Sequence, residues 1–249
     1  MNTQPKINYQ LELDKVISSL QSAGERKSVL LHSCCGPCSS YVVTYLKEYF
    51  DVTVLYYNPN IYPEEEYTHR LSEQARLLKE LEVPLIEIGY DHHEFLDYVR
   101  GYEAEPEGGA RCKSCFELRL NKTYELAREY NFDYICTTLT VSPHKNAMVI
   151  NAVGQNIVSA YMCHKTDTEP GRAEFNNSEL NVLDISLPET GSREPGKEGL
   201  NEDQSRYAAH NIMWLPGDFK KREGYKKSIE LSKQYDLYRQ EYCGCEFAK

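Results

Sequence analysis

Residues 29–40 read VLLHSCCGPCSS. An apolar run of strand length ends at Ser33, three cysteines follow at 34, 35 and 38, and Gly36-Pro37 allows a sharp turn into a helix that starts near Cys38. A buried strand running straight into a helix is the opening unit of an α/β sheet. The same unit recurs downstream: 52–57 (VTVLYY), 84–88 (PLIEI) and 132–138 (FDYICTT) read as buried strands, and NIMWL at 211–215 as one more. Helical patterns lie between them at about 38–50, 63–82, 92–100 and 113–130. Pro63 followed by Glu64, Glu65 and Glu66 marks a helix start, because proline suits the first turn and acids suit the positive helix end. The alternation predicts an α/β fold: a mostly parallel sheet with helices on both faces, in one domain over residues 1–249.

The chain has 249 residues, enough for a sizeable core, with 41% hydrophobic and 27% charged residues. No segment approaches the ~20 apolar residues of a membrane span. The start, MNTQPKINYQ, has no apolar run of the signal-peptide kind. These features place the protein in the cytoplasm, where nine cysteines read as metal ligands or redox groups rather than a disulfide framework. The net charge of −10 argues against non-specific nucleic-acid binding by the whole surface. Two local departures stand out. Residues 164–210, rich in Pro, Gly, Ser, Asn and acids, read as an exposed acidic insertion. Residues 218–233 carry six basic and three acidic residues on a helix-like segment. Alone, that run reads as a solvated helix face.

The cysteines carry the chemistry. Cys34, Cys35 and Cys38 follow the first strand, where ligands of α/β sheets gather, and the helix behind them favours thiolates or an anionic group at its N-terminus. Cys112 and Cys115 form a C-x-x-C at a helix start, with both sulfurs on one face. Four thiolates, Cys34, Cys35, Cys112 and Cys115, suit either a tetrahedral zinc or an iron–sulfur cluster. The adjacency of Cys34 and Cys35 favours the cluster, since structural zinc knuckles use wider spacing. Cys243-Gly244-Cys245 reads as a redox-active pair, because a disulfide across one residue closes a small strained ring; two tail thiols or extra metal ligands are the alternatives. Cys136 reads as a buried small hydrophobe, and Cys163 has no assigned role. His32 suits a structural bond or a proton transfer equally; His144 lies near the same sheet edge; His92 and His93 need no special role. Gly-rich phosphate fingerprints, and a loop of the S-G-G-x-D-S kind after the first strand, are missing, which disfavours ATP-driven chemistry.

HSCCGPCSS (32–40), RCKSCFELRL (111–120), DYICTTLTVSPHKN (133–146), DFKKREGYKKSIELS (218–232) and LYRQEYCGC (237–245), in this order, resemble the cobalamin-independent epoxyqueuosine reductases over about residues 28–160 and 211–246. The resemblance implies a fold similar to the adenine-nucleotide α-hydrolases. It implies an oxidoreductase acting on tRNA with epoxyqueuosine at the wobble position, removing the epoxide oxygen to give queuosine and water. By matching motif, Cys34, Cys35, Cys112 and Cys115 would ligate a [4Fe–4S] cluster and Cys243 and Cys245 would form a redox-active disulfide supplied by an external electron donor. Cys38 would be a candidate ligand of an adjacent mononuclear iron. For a tRNA substrate, Lys220, Lys221, Arg222, Lys226 and Lys227 become the candidate phosphate contacts. The chain departs from the family at the acidic stretch 164–210. The rival readings are a tRNA sulfurtransferase on a similar fold, which would need ATP, and a zinc-stabilised RNA-binding module, in which the terminal C-G-C would have no task.

Overall fold

The computed structural model describes residues 7–163, 180–183 and 211–248. A central strand β1 (Lys27–Ser33) pairs in parallel with β2 (Phe50–Tyr56) on one side and β4 (Tyr134–Thr137) on the other. Outside β2 lies parallel β3 (Leu85–Ile88), and outside β4 lies the short parallel β6 (Met213–Trp214). The strand β5 (Leu180–Leu183) closes the β3 edge antiparallel, giving the order β5-β3-β2-β1-β4-β6. The expected α/β architecture is therefore present, with five parallel strands and one antiparallel edge.

Alternate residues of β1 feed two cores. Val29 and Leu31 pack with Val42, Val43 and Leu46 of α2 (Gly36–Leu46), with α3 (Glu64–Leu81), and with Leu13 and Ile17 of α1 (Tyr9–Ala23). Leu30 packs the opposite way, with α4 (His92–Tyr98), α5 (Ala110–Glu129) and α6 (Ala147–Cys163). Helix α7 (Gly224–Gln234) lies against α2. Helices thus cover both faces, and the predominantly apolar strands follow from that double burial.

The chain runs from β1 outward through β2 and β3, then returns across the sheet to β4. The direction of winding reverses between β1 and β4, and a crevice opens at their carboxyl ends. Cys34 leaves β1 at this point and Thr138 leaves β4, with Cys34 Sγ 3.8 Å from Thr138 Oγ1. The far wall is fixed by α6. A Cβ on Gly154 would lie 2.3 Å from the Trp214 ring, so only glycine lets α6 approach β6. One turn earlier, Asn151 Oδ1 accepts from Trp214 Nε1 (3.0 Å) and Gly217 N (3.1 Å), and its Nδ2 donates to Gly217 O (2.9 Å).

Several elements differ from the sequence reading. The helices α1 and α6 were not expected. The expected acidic insertion lies outside the described residues, except that Leu180–Leu183 forms β5 rather than an exposed loop. The basic run is not helical throughout: Arg222 (φ 52°) and Glu223 (φ 60°) hold a left-handed turn, and α7 starts only at Gly224. Helix α5 begins at Ala110, which puts Cys112 and Cys115 inside its first turns. No helix among the described residues is long and apolar enough to cross a membrane.

Candidate metal centre

The first group of sulfurs is built by the β1–α2 corner. Cys35 is the N-cap of α2 in an extended conformation (φ −177°, ψ 161°), and Pro37 lies in the first turn. This arrangement folds Cys38 back over its neighbours, so the sulfurs of Cys34, Cys35 and Cys38 all lie within 4.8 Å of one another. Cys34 and Cys35 Sγ are 3.8 Å apart. The corner is held from below: Ser33 Oγ, Ser39 Oγ and Gln74 Oε1 form one hydrogen-bonded cluster in which each hydroxyl lies 3.0 Å from Gln74 Oε1, while Asn58 Nδ2 donates to Ser33 O at 2.8 Å.

The other sulfurs meet this group at one cleft of about 650 Å³, including its open mouth. Cys34, Cys112, Cys115, Cys243 and Cys245 all line it. Cys112 and Cys115 come from α5, and Gly108 N donates to Cys112 Sγ at 3.2 Å. Cys243 and Cys245 come from a C-terminal strap over residues 242–248. Arg70, only 1% exposed, pairs with Glu66 (2.7 Å) and donates to Cys243 O (3.2 Å) and Tyr242 O (3.4 Å). Tyr62 N donates to Gly244 O (2.9 Å), His92 bridges Pro59 O (2.7 Å) and Glu246 (2.8 Å), and Arg111 donates to Phe247 O (3.2 Å). Gly244 sits at φ 97°, and a Cβ there would meet Ile61 at 2.9 Å and Arg70 at 3.1 Å, so the turn needs glycine twice over.

The electrostatics of the metal-free site favour the thiolate form at one sulfur, Cys34. Hydrogen bonds from Cys35 and Cys38, aided by Lys145 and Arg119, hold the Cys34 thiol well below its ordinary value against the effect of burial. The same hydrogen bonding to Cys34 pushes Cys35 up to about 12 and Cys38 up as well. Burial pushes Cys115 up and Cys245 up to about 12. A bound metal would reverse this order, since coordinated thiols are deprotonated outright. The donor set therefore fits a soft, thiolate-preferring metal group, and three of the sulfurs are close enough to share one ion.

Of the expected sulfur residues, Cys34, Cys112, Cys115, Cys243 and Cys245 line the cleft, and Cys38, read as a candidate ligand of a second metal beside the cluster, stands with Cys34 and Cys35. Cys243 and Cys245 are separate thiols in the structure, not the disulfide that the resemblance implies. Cys136 is buried in β4, and burial raises it to about 12; Cys163 ends α6, exposed. His32 is fully buried, with Nε2–H donating to Tyr57 O (3.2 Å) and Nδ1 accepting from Thr137 Oγ1 (2.9 Å). Burial above all, then the Arg119 charge, lowers it to about 3, so it is a neutral structural group. His144 lines the cleft.

The basic residues are less free than their run suggested. Arg222 pairs with Asp14 (2.6 Å), Lys226 with Glu223 (3.6 Å), and Lys220 with Asp218 (3.3 Å). Lys227 lies over the Tyr41 ring. Lys220 Nζ also donates to Lys145 O (3.1 Å), which brings the segment to the rim of the cleft. Sequence reasoning missed Arg119 and Lys145, both lining the cleft. Arg119 is four residues after Cys115 and seven after Cys112, on the same face of α5, a spacing that could have revealed it.

Known proteins resemble this chain over nearly its whole length. Residues 29–181 and 189–249 match the family model described as Epoxyqueuosine reductase QueH. A protein of Staphylococcus epidermidis (strain ATCC 12228 / FDA PCI 1200) with that name is 35% identical over 251 residues, covering 98% of this chain and 85% of the relative. One of Streptococcus pyogenes serotype M1, also so named, is 34% identical over 254 residues, covering 100% and 80%. Both matches span the three cysteine-bearing stretches that meet at the cleft, and on that breadth of agreement the chain belongs to the epoxyqueuosine reductase QueH family.

Proposed function

We propose that this protein is an iron–sulfur-dependent, cobalamin-independent epoxyqueuosine reductase that acts on tRNA carrying epoxyqueuosine at the wobble position. The observation that carries the reading is the convergence of cysteines from three distant stretches on one cleft. In the reaction both C–O bonds of the epoxide break, a carbon–carbon double bond forms, and the oxygen leaves as water after taking two electrons and two protons. Cys34, Cys35, Cys112 and Cys115 would hold a [4Fe–4S] cluster, with Cys38 a candidate ligand of an adjacent mononuclear iron; when bound, such a centre supplies single electrons and a Lewis acid for oxygen.

The chain's own residues supply the rest. Oxidation of the Cys243 and Cys245 thiols to a disulfide releases two electrons and two protons, which matches the demand of one turnover; an external donor then restores the dithiol. Arg70 and Tyr62 hold that pair at the cleft through the strap carbonyls. The apolar walls given by Phe95, Phe116 and Leu139 exclude water from the reacting ring. Lys220, Lys221, Arg222, Lys226 and Lys227 would meet phosphates beside the cleft. Iron, zinc and acid-labile sulfide measured on protein purified without oxygen test the reading. About four or more irons per chain with matching sulfide support it. Stoichiometric zinc without sulfide, persisting after anaerobic reconstitution, refutes it in favour of a zinc-stabilised RNA-binding module.

A further inference from the structure

The cleft holds more positive charge than its own carboxylates explain. Arg119 is 3% exposed, yet its hydrogen bonds go to neutral acceptors, Cys115 O (3.2 Å) and Asn58 Oδ1 (3.4 Å). Among the described residues no carboxylate pairs with it, and none pairs with Lys145. Of the other buried arginines, Arg70 has Glu66, whereas Arg111, which also lines the cleft, is like Arg119 in having only neutral acceptors, the carbonyls of Glu103, Glu105 and Phe247. A buried guanidinium without an anion is costly, so the charge of Arg119 requires a negative partner. The nearby candidates are sulfurs: Arg119 follows Cys115 by one helical turn and donates to its carbonyl, and both Arg119 and Lys145 line the cleft together with Cys34, Cys112 and Cys115.

We infer that Arg119 and Lys145 are the counter-charges of the thiolate-bound cluster and raise its reduction potential. The inference rests on the cluster reading above. Four thiolates outweigh the positive charge of the cluster core, and each electron accepted adds negative charge. A fixed cation in a low-dielectric cleft stabilises the reduced form more than the oxidised one, and net charge is one of the levers that set such potentials. The electron comes from an external low-potential donor, and the cluster gains it without any bond forming or breaking. These two residues are positioning residues: they act through the metal group rather than on the epoxide.

The test compares wild type, Arg119→Gln, Arg119→Lys and Lys145→Gln as full chains, reconstituted without oxygen using iron and sulfide. Iron and sulfide per chain are measured first, then the one-electron midpoint by dithionite titration followed by electron paramagnetic resonance. Arg119→Gln and Lys145→Gln are expected to disfavour reduction about tenfold or more, about 59 mV downward for one electron. Arg119→Lys is expected to stay within about threefold of wild type, since it keeps the charge. If Arg119→Gln does not fold, Lys145→Gln at the mouth of the cleft decides alone. Unchanged midpoints in loaded variants overturn the inference while leaving the cluster standing. Unchanged midpoints with a raised KM for tRNA overturn it in favour of a substrate-binding role for the cations. Failure of wild type to take up iron and sulfide is a different failure, which removes the cluster reading and this inference with it.

Discussion

Replacing Arg70 with methionine should loosen the C-terminal strap without touching a sulfur. Arg70 holds the strap by bonds to Cys243 O (3.2 Å) and Tyr242 O (3.4 Å). A hydrogen bond contributes roughly 0.5–1.5 kcal/mol net, somewhat more from a charged donor. Two long ones therefore hold the strap by about 2 kcal/mol, and their loss should raise its open fraction about 30-fold. The Tyr62–Gly244 and Arg111–Phe247 bonds and the His92–Glu246 contact remain, so the strap should open more often rather than detach. Glu66 also loses its cation and keeps only a 3.4 Å contact from Tyr238, a cost of about 1–3 kcal/mol felt in global stability. The assay is alkylation of the metal-free, reduced protein, followed by mass spectrometry of each cysteine peptide. Cys245, 6% exposed, reports opening, and exposed Cys163 serves as the internal reference. The ratio of their rates should rise about 30-fold in Arg70→Met, by the same free-energy argument. A ratio within about twofold of wild type would refute the claim that Arg70 positions the redox pair.

Further outcomes follow from the same structure. Changing Cys243 and Cys245 together to serine should leave iron content at the wild-type level but abolish multiple turnover; undiminished multiple turnover would remove the dithiol relay. Lys221→Gln, a lysine with no ion pair among the described residues, should flatten the salt dependence of tRNA binding more than Arg222→Gln, whose guanidinium is already held by Asp14. Equal slopes for both variants and wild type would exclude the segment as a phosphate contact. Gly154→Ala, whose Cβ would strike Trp214 at 2.3 Å, should cost about 1–3 kcal/mol and lower the melting temperature by roughly 3–10 °C. An unchanged melting temperature would contradict the close α6–β6 approach.

Much of the fold was legible because buried parallel strands announce themselves as apolar runs. VLLHS, VTVLYY, PLIEI and FDYICTT all became strands, and their boundaries shifted by only a few residues. What stayed hidden had weak local signals. In α6, Gly154 and Asn151 interrupt a helical pattern that makes sense only against Trp214. In β5, four residues sit in an acidic stretch whose composition outweighs them, and β6 is two residues long. The basic run read as one helix because charge spacing does not reveal the left-handed turn at Arg222 and Glu223.

At the site, the cysteine groups were legible from spacing, but the company they keep was not. Nothing local to LYRQEYCGC says that its carbonyls meet an arginine of α3 and an amide before it. His92 looked idle as a helix opener, yet it bridges to Glu246 across 154 positions of chain. Arg119, inside FELRL, resembles any solvated helix arginine until its face of α5 is seen to be the face of Cys112 and Cys115. Cys34, Cys35 and Cys38 share one short stretch, and the α2 corner brings their three sulfurs together.

The most direct test of the central claim is conversion of the nucleoside itself. The anaerobically purified chain, loaded with iron and sulfide, is incubated with epoxyqueuosine-containing tRNA and a low-potential reductant, and the digested nucleosides are separated by liquid chromatography with mass detection. The account predicts queuosine in place of epoxyqueuosine, without ATP or cobalamin, and loss of conversion when Cys34 or Cys112 is changed to serine. Epoxyqueuosine left intact by the loaded wild-type chain would contradict it.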